Sequence, residues 1–298
     1  MEAVENLLQL DGPEARETFS KVTTVYTDLD GTLLAPGGKL LANYAGEPSS
    51  STADAIVRLR KVGVEIIIVT GRSRFQGNEF LRLLDAKAFI GEMGTIKQER
   101  GAGMLDIQYD TGKFKWNPER YATPYDAIAD SGAVEALMER YPGMLEPNFP
   151  RCLNRDVTHA MRGYVDVEEV DKFLADNGYA LEFEDNGMLF SKSESLAKCP
   201  EVHGYHIVPA GTSKAISVKK DIEQRGLSLE ETVSIGDGPG DVLMGANTGS
   251  FVFMVNGFHN ERCAEELEKL ETRKFVTTLR CCDGWVEFAN AVVSAKRG

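Results

Sequence analysis

The sequence VTTVYTDLDGTL, residues 22–33, joins a short β-branched run to a turn that carries two carboxylates, Asp28 and Asp30. β-Branched residues favour strands, and Gly31 lets the chain leave the strand sharply. Side chains two apart on a strand point to the same side, roughly 7 Å apart, so the two acids repel and the pKa of one of them should rise. Such a pair can supply a nucleophile or metal ligand together with a general acid. The alternative is an ordinary acidic surface turn, in which Asp, Gly and Thr are common.

The most apolar run of the sequence, VEIIIV at Val64–Val69, is followed directly by Thr70, Gly71 and Arg72. A run of this kind is typical of a central parallel strand that is covered on both faces. A hydroxyl and a glycine N–H at a junction from strand to helix form a cradle for an anion, and the dipole of the following helix favours negative charge there. A plain N-cap of that helix is the alternative.

Lys214 lies at the start of a predicted helix, in the sequence AGTSK. A lysine in the first turn of a helix faces the positive end of the helix dipole. We therefore expect an anionic group to compensate it, with a solvated surface lysine as the alternative.

The segment Gly236–Asp241, GDGPGD, follows a predicted strand and places Asp237 and Asp241 around a tight loop. Carboxylate oxygens are the ligands that Mg²⁺ prefers, so the loop predicts a magnesium site, with an acidic glycine-rich surface loop as the alternative. The loop does not fit the GxGxxG dinucleotide-binding pattern, and the sequence contains no GxxxxGK[ST] motif for nucleotide triphosphates.

These four motifs all come at or near the ends of predicted parallel strands, and strand-like and helix-like segments alternate at both ends of the chain. The pattern predicts an α/β fold, a Rossmann-like three-layer parallel sheet with its active site at the carboxyl ends of the strands. The alternation stops after about residue 100 and returns at Tyr205, with Tyr205–Val208 expected as a core strand. We therefore expect a catalytic core at residues 1–100 and 205–298, and an inserted α+β cap domain at residues 101–204.

The composition excludes some classes of partner and predicts where the protein is located. The chain has 33 basic and 46 acidic residues and a formal net charge of −13. This balance argues against nucleic-acid and membrane partners, which require a basic surface. The five cysteines lack CxxC spacing, the N-terminal residues do not form a signal peptide, and no apolar stretch is long enough to span a membrane, so we expect a cytoplasmic protein.

The four motifs together resemble those of the haloacid dehalogenase superfamily. The residues that carry the resemblance are DLDGTL at residues 28–33, TGR at 70–72, Lys214, and GDGPGD at 236–241. The long insert between the second and third motifs is similar to that of subclass IIB, the Cof-like and sugar-phosphate phosphatase group. GEMGTI at residues 91–96 and DGW at residues 283–285 are similar to the mannosyl-3-phosphoglycerate phosphatases.

The resemblance implies a Mg²⁺-dependent phosphatase that works through an aspartyl-phosphate intermediate. Asp28 would be the nucleophile, and Asp30 the acid that protonates the leaving oxygen and then deprotonates water. Thr70, the N–H of Gly71 and Lys214 would hold the phosphoryl oxygens. The resemblance implies a Mg²⁺ site at Asp28, the Asp30 carbonyl and Asp237, with Asp241 binding through water or orienting Lys214. Gly240 departs from many relatives, which have Asn there.

The sequence is also compatible with two other functions. A phosphotransferase or phosphomutase would use the same chemistry with a sugar hydroxyl in place of water as the acceptor, and a non-catalytic phosphate-binding regulatory protein would use the site only for binding. The expected partner is a small phosphorylated substrate, and the expected assembly is a monomer or small homo-oligomer. Polar residues of the insert are candidates for contacts with the rest of the substrate, although a solvated surface role is the more common one: Arg151, Asn154, Arg155, His159, Arg162, Asn186 and Lys192.

Overall fold

The structure is a computed structural model that describes residues 7–100 and 105–298. The strands are β1 Leu8–Gln9, β2 Thr24–Thr27, β3 Glu65–Val69, β4 Ala88–Gly91, β5 Ile96–Arg100, β6 Leu105–Tyr109, β7 Leu145–Pro147, β8 His159–Gly163, β9 Leu181–Leu189, β10 His203–Pro209, β11 Thr232–Gly236, β12 Ser250–Phe253 and β13 Arg273–Val276. The α-helices are α1 Pro13–Lys21, α2 Ser51–Lys61, α3 Arg74–Leu83, α4 Pro124–Asp130, α5 Ala133–Arg140, α6 Val167–Asp176, α7 Lys214–Arg225, α8 Pro239–Gly245, α9 Glu261–Lys269 and α10 Cys281–Arg297.

The described residues form two compact units. The first contains the chain up to Thr70, Phe80–Phe89 and Lys214–Gly298, and the second contains Gly71–Glu79 and the described part of Ile90–Ser213. The expected start of the cap at residue 101 lies outside the described residues. At its other end, residues 205–213 go with the second unit and not with the core.

The strands of the first unit lie in a sheet in the order β1-β13-β12-β11-β2-β3-β4, and the last two residues of β4 belong to the second unit. The pairs from β1 through β3 run parallel, and β2 lies between β11 and β3. In β3 the residues from Ile66 to Val69 are buried and Glu65 is exposed, as expected of a strand covered on both faces. The predicted α/β fold class is therefore confirmed.

Helices pack on both faces of this sheet. Val252 of β12 packs into a core with apolar residues of α1, α2 and α10, including Phe19, Ile56 and Phe288. The neighbouring residues Phe251 and Phe253 point to the other face and pack with residues of α8 and α9. This alternation along one strand gives the three layers that the sequence predicts.

The topology brings the motif-bearing segments of the first unit to one edge of the sheet. Because β2, β3 and β11 are parallel neighbours, their carboxyl ends lie at the same edge. Asp28 and Thr70 directly follow β2 and β3, and Asp237 directly follows β11.

The second unit contains an antiparallel β5–β6 hairpin and a four-stranded antiparallel sheet of order β7-β8-β10-β9. Tyr205–Val208, expected as a strand of the α/β core, lies within β10 and pairs antiparallel with β8 and β9. Strand β9 runs without a break from Leu181 to Leu189, although the sequence has two separate alternating runs there, Tyr179–Phe183 and Met188–Ser191, which predict two strands. A buried apolar run cannot by itself distinguish a parallel core strand from the middle of an antiparallel sheet, which explains the wrong placement of Tyr205–Val208.

Among the described residues, none of the helices combines the length and the apolar character that crossing a membrane requires.

Candidate active site

Asp28 begins the turn that follows β2, and its side chain is almost fully buried. Its N–H donates to the carbonyl of Ile235 at 3.1 Å, so the pairing of β2 with β11 fixes where the side chain begins. Asp30 is half-buried two residues later, and Gly31 turns the chain with a φ of 84°. A Cβ at Gly31 would collide with the carboxylate of Asp237, so this turn needs glycine for its conformation and for space.

Lys214 is the first residue of α7, and its ammonium joins two of the carboxylates. Nζ lies 3.0 Å from Oδ1 of Asp28 and 2.9 Å from Oδ1 of Asp241, and all three side chains are buried. Burial alone would lower the pKa of Lys214, but the Asp241 and Asp28 carboxylates raise it above its ordinary value. The lysine is therefore a fixed positive charge against Asp28.

Asp241 lies in the first turn of α8 and holds the loop that precedes it. Its Oδ2 accepts the N–H of Asp237 at 3.2 Å and the N–H of Gly238 at 3.0 Å, while its Oδ1 accepts from Lys214. These bonds satisfy donors at the beginning of the helix that have no partner inside it. Asp241 thus fixes the loop and the lysine at the same time.

Two glycines of the same loop differ in the space around them. A Cβ at Gly236 would collide with the side chain of Asp241, whereas a Cβ at Gly240 would meet no atom within 4 Å. The departure from the family pattern at Gly240 therefore lies at an uncrowded position.

Asp28, Asp237 and Asp241 form a compact group of carboxylates. One oxygen from each lies within 4.8 Å of the others. Burial, followed by the Asp241 carboxylate, raises the pKa of Asp237 to about 7, and burial is also the main cause of the raised pKa of Asp28. Two buried carboxylates and the part-buried one of Asp237, beside the ammonium of Lys214, leave an excess of negative charge that a divalent cation would offset. The three carboxylates therefore fit Mg²⁺. Among the described residues, the Asp30 carboxylate does not belong to this group of three.

Two polar residues that the sequence did not predict as site residues, Thr32 and Asn256, hold Asp237 in place. Thr32 Oγ1 donates to Asp237 Oδ1 at 3.1 Å, and Asn256 Nδ2 donates to Asp237 Oδ2 at 3.0 Å and to the carbonyl of Gly31 at 2.9 Å. Asn256 comes shortly after β12, the strand beside β11. The signal that placed Asp28 and Asp237, a polar residue beyond the carboxyl end of a parallel strand, could have placed Asn256 at the same edge of the sheet, but not its bond to Asp237.

The two other proposed phosphate ligands lie at the end of β3. Thr70 is a buried residue of the first unit, and Gly71 is the first residue of the second unit. The carbonyl of Gly71 accepts a hydrogen bond from Arg155 at 2.7 Å within the second unit.

The candidates in the insert have varied environments. His159 is buried and stacks on Tyr125, Arg162 pairs with Glu146, and Arg151 lies over the ring of Phe190. Further members of the set lie as follows: Asn186 Nδ2 is 3.3 Å from His206 Nε2, Asn154 has a φ of 55°, and Lys192 is exposed. Arg155 is buried beside Glu92.

Solved structures resemble the described fold. A sucrose-phosphatase from Synechocystis sp. PCC6803 has a TM-score of 0.60 at 13% identity, over 91% of this chain and 98% of that one. A phosphatase of the haloalkanoate dehalogenase superfamily from Bacteroides thetaiotaomicron has a TM-score of 0.57 at 17% identity, over 93% and 96%. A subclass IIB sugar phosphatase of the same superfamily has a TM-score of 0.54 at 18% identity, over 86% and 93%. At such identities the likeness concerns the fold.

Sequence comparison with curated proteins finds no match. A family model described as haloacid dehalogenase-like hydrolase matches residues 25–107 and 185–261, which together are more than half of the chain. The matched segments include the turn at Asp28, the TGR sequence, Lys214 and the GDGPGD loop. The chain belongs to the haloacid dehalogenase-like hydrolases.

Proposed function

We propose that this hydrolase is a Mg²⁺-dependent phosphatase of small phosphorylated metabolites, and that sugar phosphates are its substrate class. The observation that carries the proposal is the buried contact of Asp28 with Lys214 beside the carboxylates of Asp237 and Asp241. A nucleophile, a fixed cation and a divalent metal site are what transfer of a phosphoryl group to a carboxylate requires. The choice of sugar phosphates rests on the similar structures, two of which are described as a sucrose-phosphatase and a sugar phosphatase.

In the first half-reaction, a carboxylate oxygen of Asp28 attacks phosphorus, and the bond from phosphorus to the ester oxygen breaks. Asp30 gives its proton to the departing oxygen, so the product leaves as an alcohol. Lys214 bonds Oδ1 of Asp28, so we assign the attack to Oδ2. Thr70 Oγ1, the Gly71 N–H and Lys214 are the proposed contacts of the phosphoryl oxygens.

In the second half-reaction, the Asp30 carboxylate takes a proton from water as the water oxygen attacks phosphorus. The bond between phosphorus and Asp28 breaks, which returns both carboxyl groups to their starting states and releases inorganic phosphate. Dividing the reaction in this way matters because hydrolysis of phosphate monoesters is among the slowest uncatalysed reactions.

Asp28, the Asp30 carbonyl and Asp237 are the residues that would hold Mg²⁺, and Asp241 would orient Lys214. When bound, the metal ion would reduce the repulsion between the Asp28 carboxylate and the phosphate dianion and would offset charge on the phosphoryl oxygens. The bonds of Thr32 and Asn256 to Asp237 keep this ligand's two oxygens in fixed directions. Outer bonds of this kind orient the ligands of a metal.

A panel of phosphate esters, assayed with Mg²⁺ for released inorganic phosphate, tests this proposal. We expect turnover of sugar phosphates that EDTA abolishes and that Asp28→Asn lacks. Release of phosphate in a one-to-one ratio with dephosphorylated product identifies a phosphatase, whereas transfer to an added sugar identifies a phosphotransferase or mutase. Binding of phosphate without turnover of any ester would indicate a regulatory protein and contradict the proposal.

The remaining expectations belong to the same proposal. They are a small phosphorylated metabolite as the partner, no nucleic-acid or membrane partner, a monomer or small homo-oligomer, a cytoplasmic location, and a cap within the second unit that selects the substrate.

A further inference from the structure

The second unit contains a buried cluster of charged and polar side chains, which we call the Glu92 cluster: Glu92, Arg155, Thr158 and His206. Arg155 Nε lies 3.7 Å from Glu92 Oε2, and their side chains are 3% and 0% exposed. Thr158 Oγ1 lies 3.3 Å from Nδ1 of His206. Charged side chains this deeply buried are rare in proteins unless they are paired, and each also needs hydrogen bonds.

Glu92 orders the segment that carries Arg155. One carboxylate oxygen accepts the N–H of Asp156 at 2.9 Å, and the other accepts the N–H groups of Val157 at 3.1 Å and Thr158 at 2.9 Å. Arg155 immediately precedes these three residues, so its backbone is held by the residue that its guanidinium pairs with.

The backbone around Glu92 is in an uncommon conformation. Glu92 and Met93 have φ values of 49° and 61°, in the left-handed region that residues with a Cβ rarely adopt. Consecutive residues in this region persist only where the surroundings fix them, and such residues are concentrated at functional sites. The three amide donors on the Glu92 carboxylate provide that fixation.

The cluster also holds two successive carbonyls of the turn that follows Thr70. Arg155 Nη2 donates to the carbonyl of Gly71 at 2.7 Å, and the N–H of Glu92 donates to the carbonyl of Arg72 at 3.0 Å. A peptide unit is planar, and its N–H points opposite to its carbonyl. A bond to the Gly71 carbonyl therefore also sets the direction of the Arg72 N–H.

Side chains from the same region crowd Gly71. A Cβ at Gly71 would lie 3.0 Å from the sulfur of Met93 and 3.5 Å from Nε2 of His206. Glycine has no Cβ to restrict its backbone dihedral angles, so the conformation of Gly71 must be set by its neighbours. Here those neighbours are Met93, His206 and the guanidinium of Arg155.

We propose that Arg155 and Glu92 are positioning residues for the phosphate-binding turn Thr70-Gly71-Arg72. They fix the Gly71–Arg72 and Arg72–Ser73 peptide planes through the Gly71 and Arg72 carbonyls, and so restrain the residue whose N–H is the proposed phosphate contact. The inference rests on the proposed function, because it assigns the cluster to the phosphoryl site of that reaction. Arg155 acts through the backbone and is not assigned any contact with the substrate. The competing account is a buried ion pair that only stabilises the second unit.

The test compares Arg155→Met with Arg155→Lys and with the control Arg140→Met. Arg140 also pairs with a glutamate in the second unit, since its Nη2 lies 2.8 Å from Glu169 Oε1. Arg155→Lys keeps a positive charge beside Glu92 and is included in case Arg155→Met does not fold. A single ammonium lacks the forked guanidinium that donates to Thr158 and to Gly71 at the same time.

Titration of inorganic phosphate in the presence of Mg²⁺ measures the phosphoryl site without turnover. We expect Arg155→Met to weaken phosphate binding by about tenfold or more, in line with other residues that orient ligands from outside, with Arg155→Lys intermediate and Arg140→Met at the wild-type value. With several esters, KM should rise by the same factor for each, because the turn would contact only the phosphoryl group. Factors that differ between esters would assign Arg155 to the rest of the substrate and overturn the proposal.

Hydrogen exchange of the peptide that covers residues 70–74 gives a readout that does not depend on the function. We expect faster exchange there in Arg155→Met than in Arg140→Met, with or without phosphate. Folded Arg155 variants with wild-type exchange and phosphate affinity would overturn the inference while leaving the proposed function intact. A wild-type protein that hydrolyses no ester would overturn the proposed function, and the exchange experiment would still decide whether Arg155 fixes the turn.

Discussion

Two groups of charged side chains among the described residues, the carboxylates around Lys214 and the Glu92 cluster, differ in how their charges are compensated. In the first unit, the carboxylates of Asp28, Asp237 and Asp241 lie together, with Lys214 as the ammonium that contacts two of them. In the second unit, Glu92 is paired with Arg155 and accepts three backbone N–H groups.

The comparison distinguishes a group with an excess of negative charge, which fits a divalent cation, from a group whose charges are compensated by other residues of the chain. Burial of an uncompensated charge is costly, and the pKa values of Asp28 and Asp237 are raised for that reason. A divalent cation bound to these carboxylates would offset their charge and so reduce this cost. The Glu92 carboxylate has its partners within the chain, so we expect it to order the backbone around it and not to bind a metal.

Asp28→Asn should have the largest effect on activity. The substitution removes the proposed nucleophile and a metal ligand together, so we expect kcat to fall by at least ~10³-fold. The same change removes one of the crowded carboxylates, so without Mg²⁺ the variant should unfold at the same temperature as the wild type or at a higher one. Near-normal turnover would contradict the mechanism. Asp54→Asn, at an exposed position of α2, is the control.

Asp30→Asn should lower kcat by roughly 10²–10⁴-fold, because it removes the acid and base of the two half-reactions. Its carboxylate lies outside the group of three that fits a metal. The increase in melting temperature that Mg²⁺ gives the wild type should therefore persist in this variant. If Asp30→Asn abolished that increase, the side chain would belong to the metal site.

Replacing the basic residue of each group by methionine should lower the melting temperature in both, but Mg²⁺ should reverse the loss in only one of them. Lys214→Met leaves three carboxylates together and Arg155→Met leaves Glu92, and removal of one partner of a buried pair costs about 3–5 kcal/mol. We expect Mg²⁺ to restore much of the lost melting temperature in Lys214→Met, since binding to the folded state stabilises it, and to restore no more in Arg155→Met than it adds to the wild type. Equal restoration in both variants would contradict the distinction.

A smaller effect is expected from pH in the second unit, where His159 is buried and stacked on Tyr125. Burial lowers its pKa to about 4 from an ordinary value of 6.5. Below pH 6.5 the unfolded chain takes up a proton that the folded state resists, so stability is lost as the pH falls towards 4, by on the order of 3 kcal/mol at most. Urea unfolding at several pH values should show a shallower loss for His159→Gln. An unchanged slope in that variant would contradict this prediction.

The sequence alone predicted the α/β fold class and the positions of several motif residues after strands. Each of Asp28, Thr70 and Asp237 follows a strand whose apolar run could be recognised, and parallel pairing then brings the ends together. The same logic failed at Tyr205–Val208, because apolar content says nothing about the direction of the neighbouring strands.

Pairing between distant residues was the information that the sequence did not carry. Asn256, which follows a different strand, donates a hydrogen bond to Asp237. Glu92 accepts hydrogen bonds from backbone N–H groups more than sixty positions away in the sequence. Neither contact follows from a local pattern or spacing. Arg155 was visible only as one polar residue among several in the insert, and its role depends on burial beside Glu92.

The most direct test of the central claim is to trap the phosphoryl group on Asp28. The wild-type protein is mixed with Mg²⁺ and a sugar phosphate that it hydrolyses, quenched in acid during turnover, digested and analysed by mass spectrometry. The account predicts one added phosphoryl group on the peptide that contains Asp28, absent from Asp28→Asn. A phosphoryl group on another residue, or phosphate release by Asp28→Asn at the wild-type rate, would contradict it.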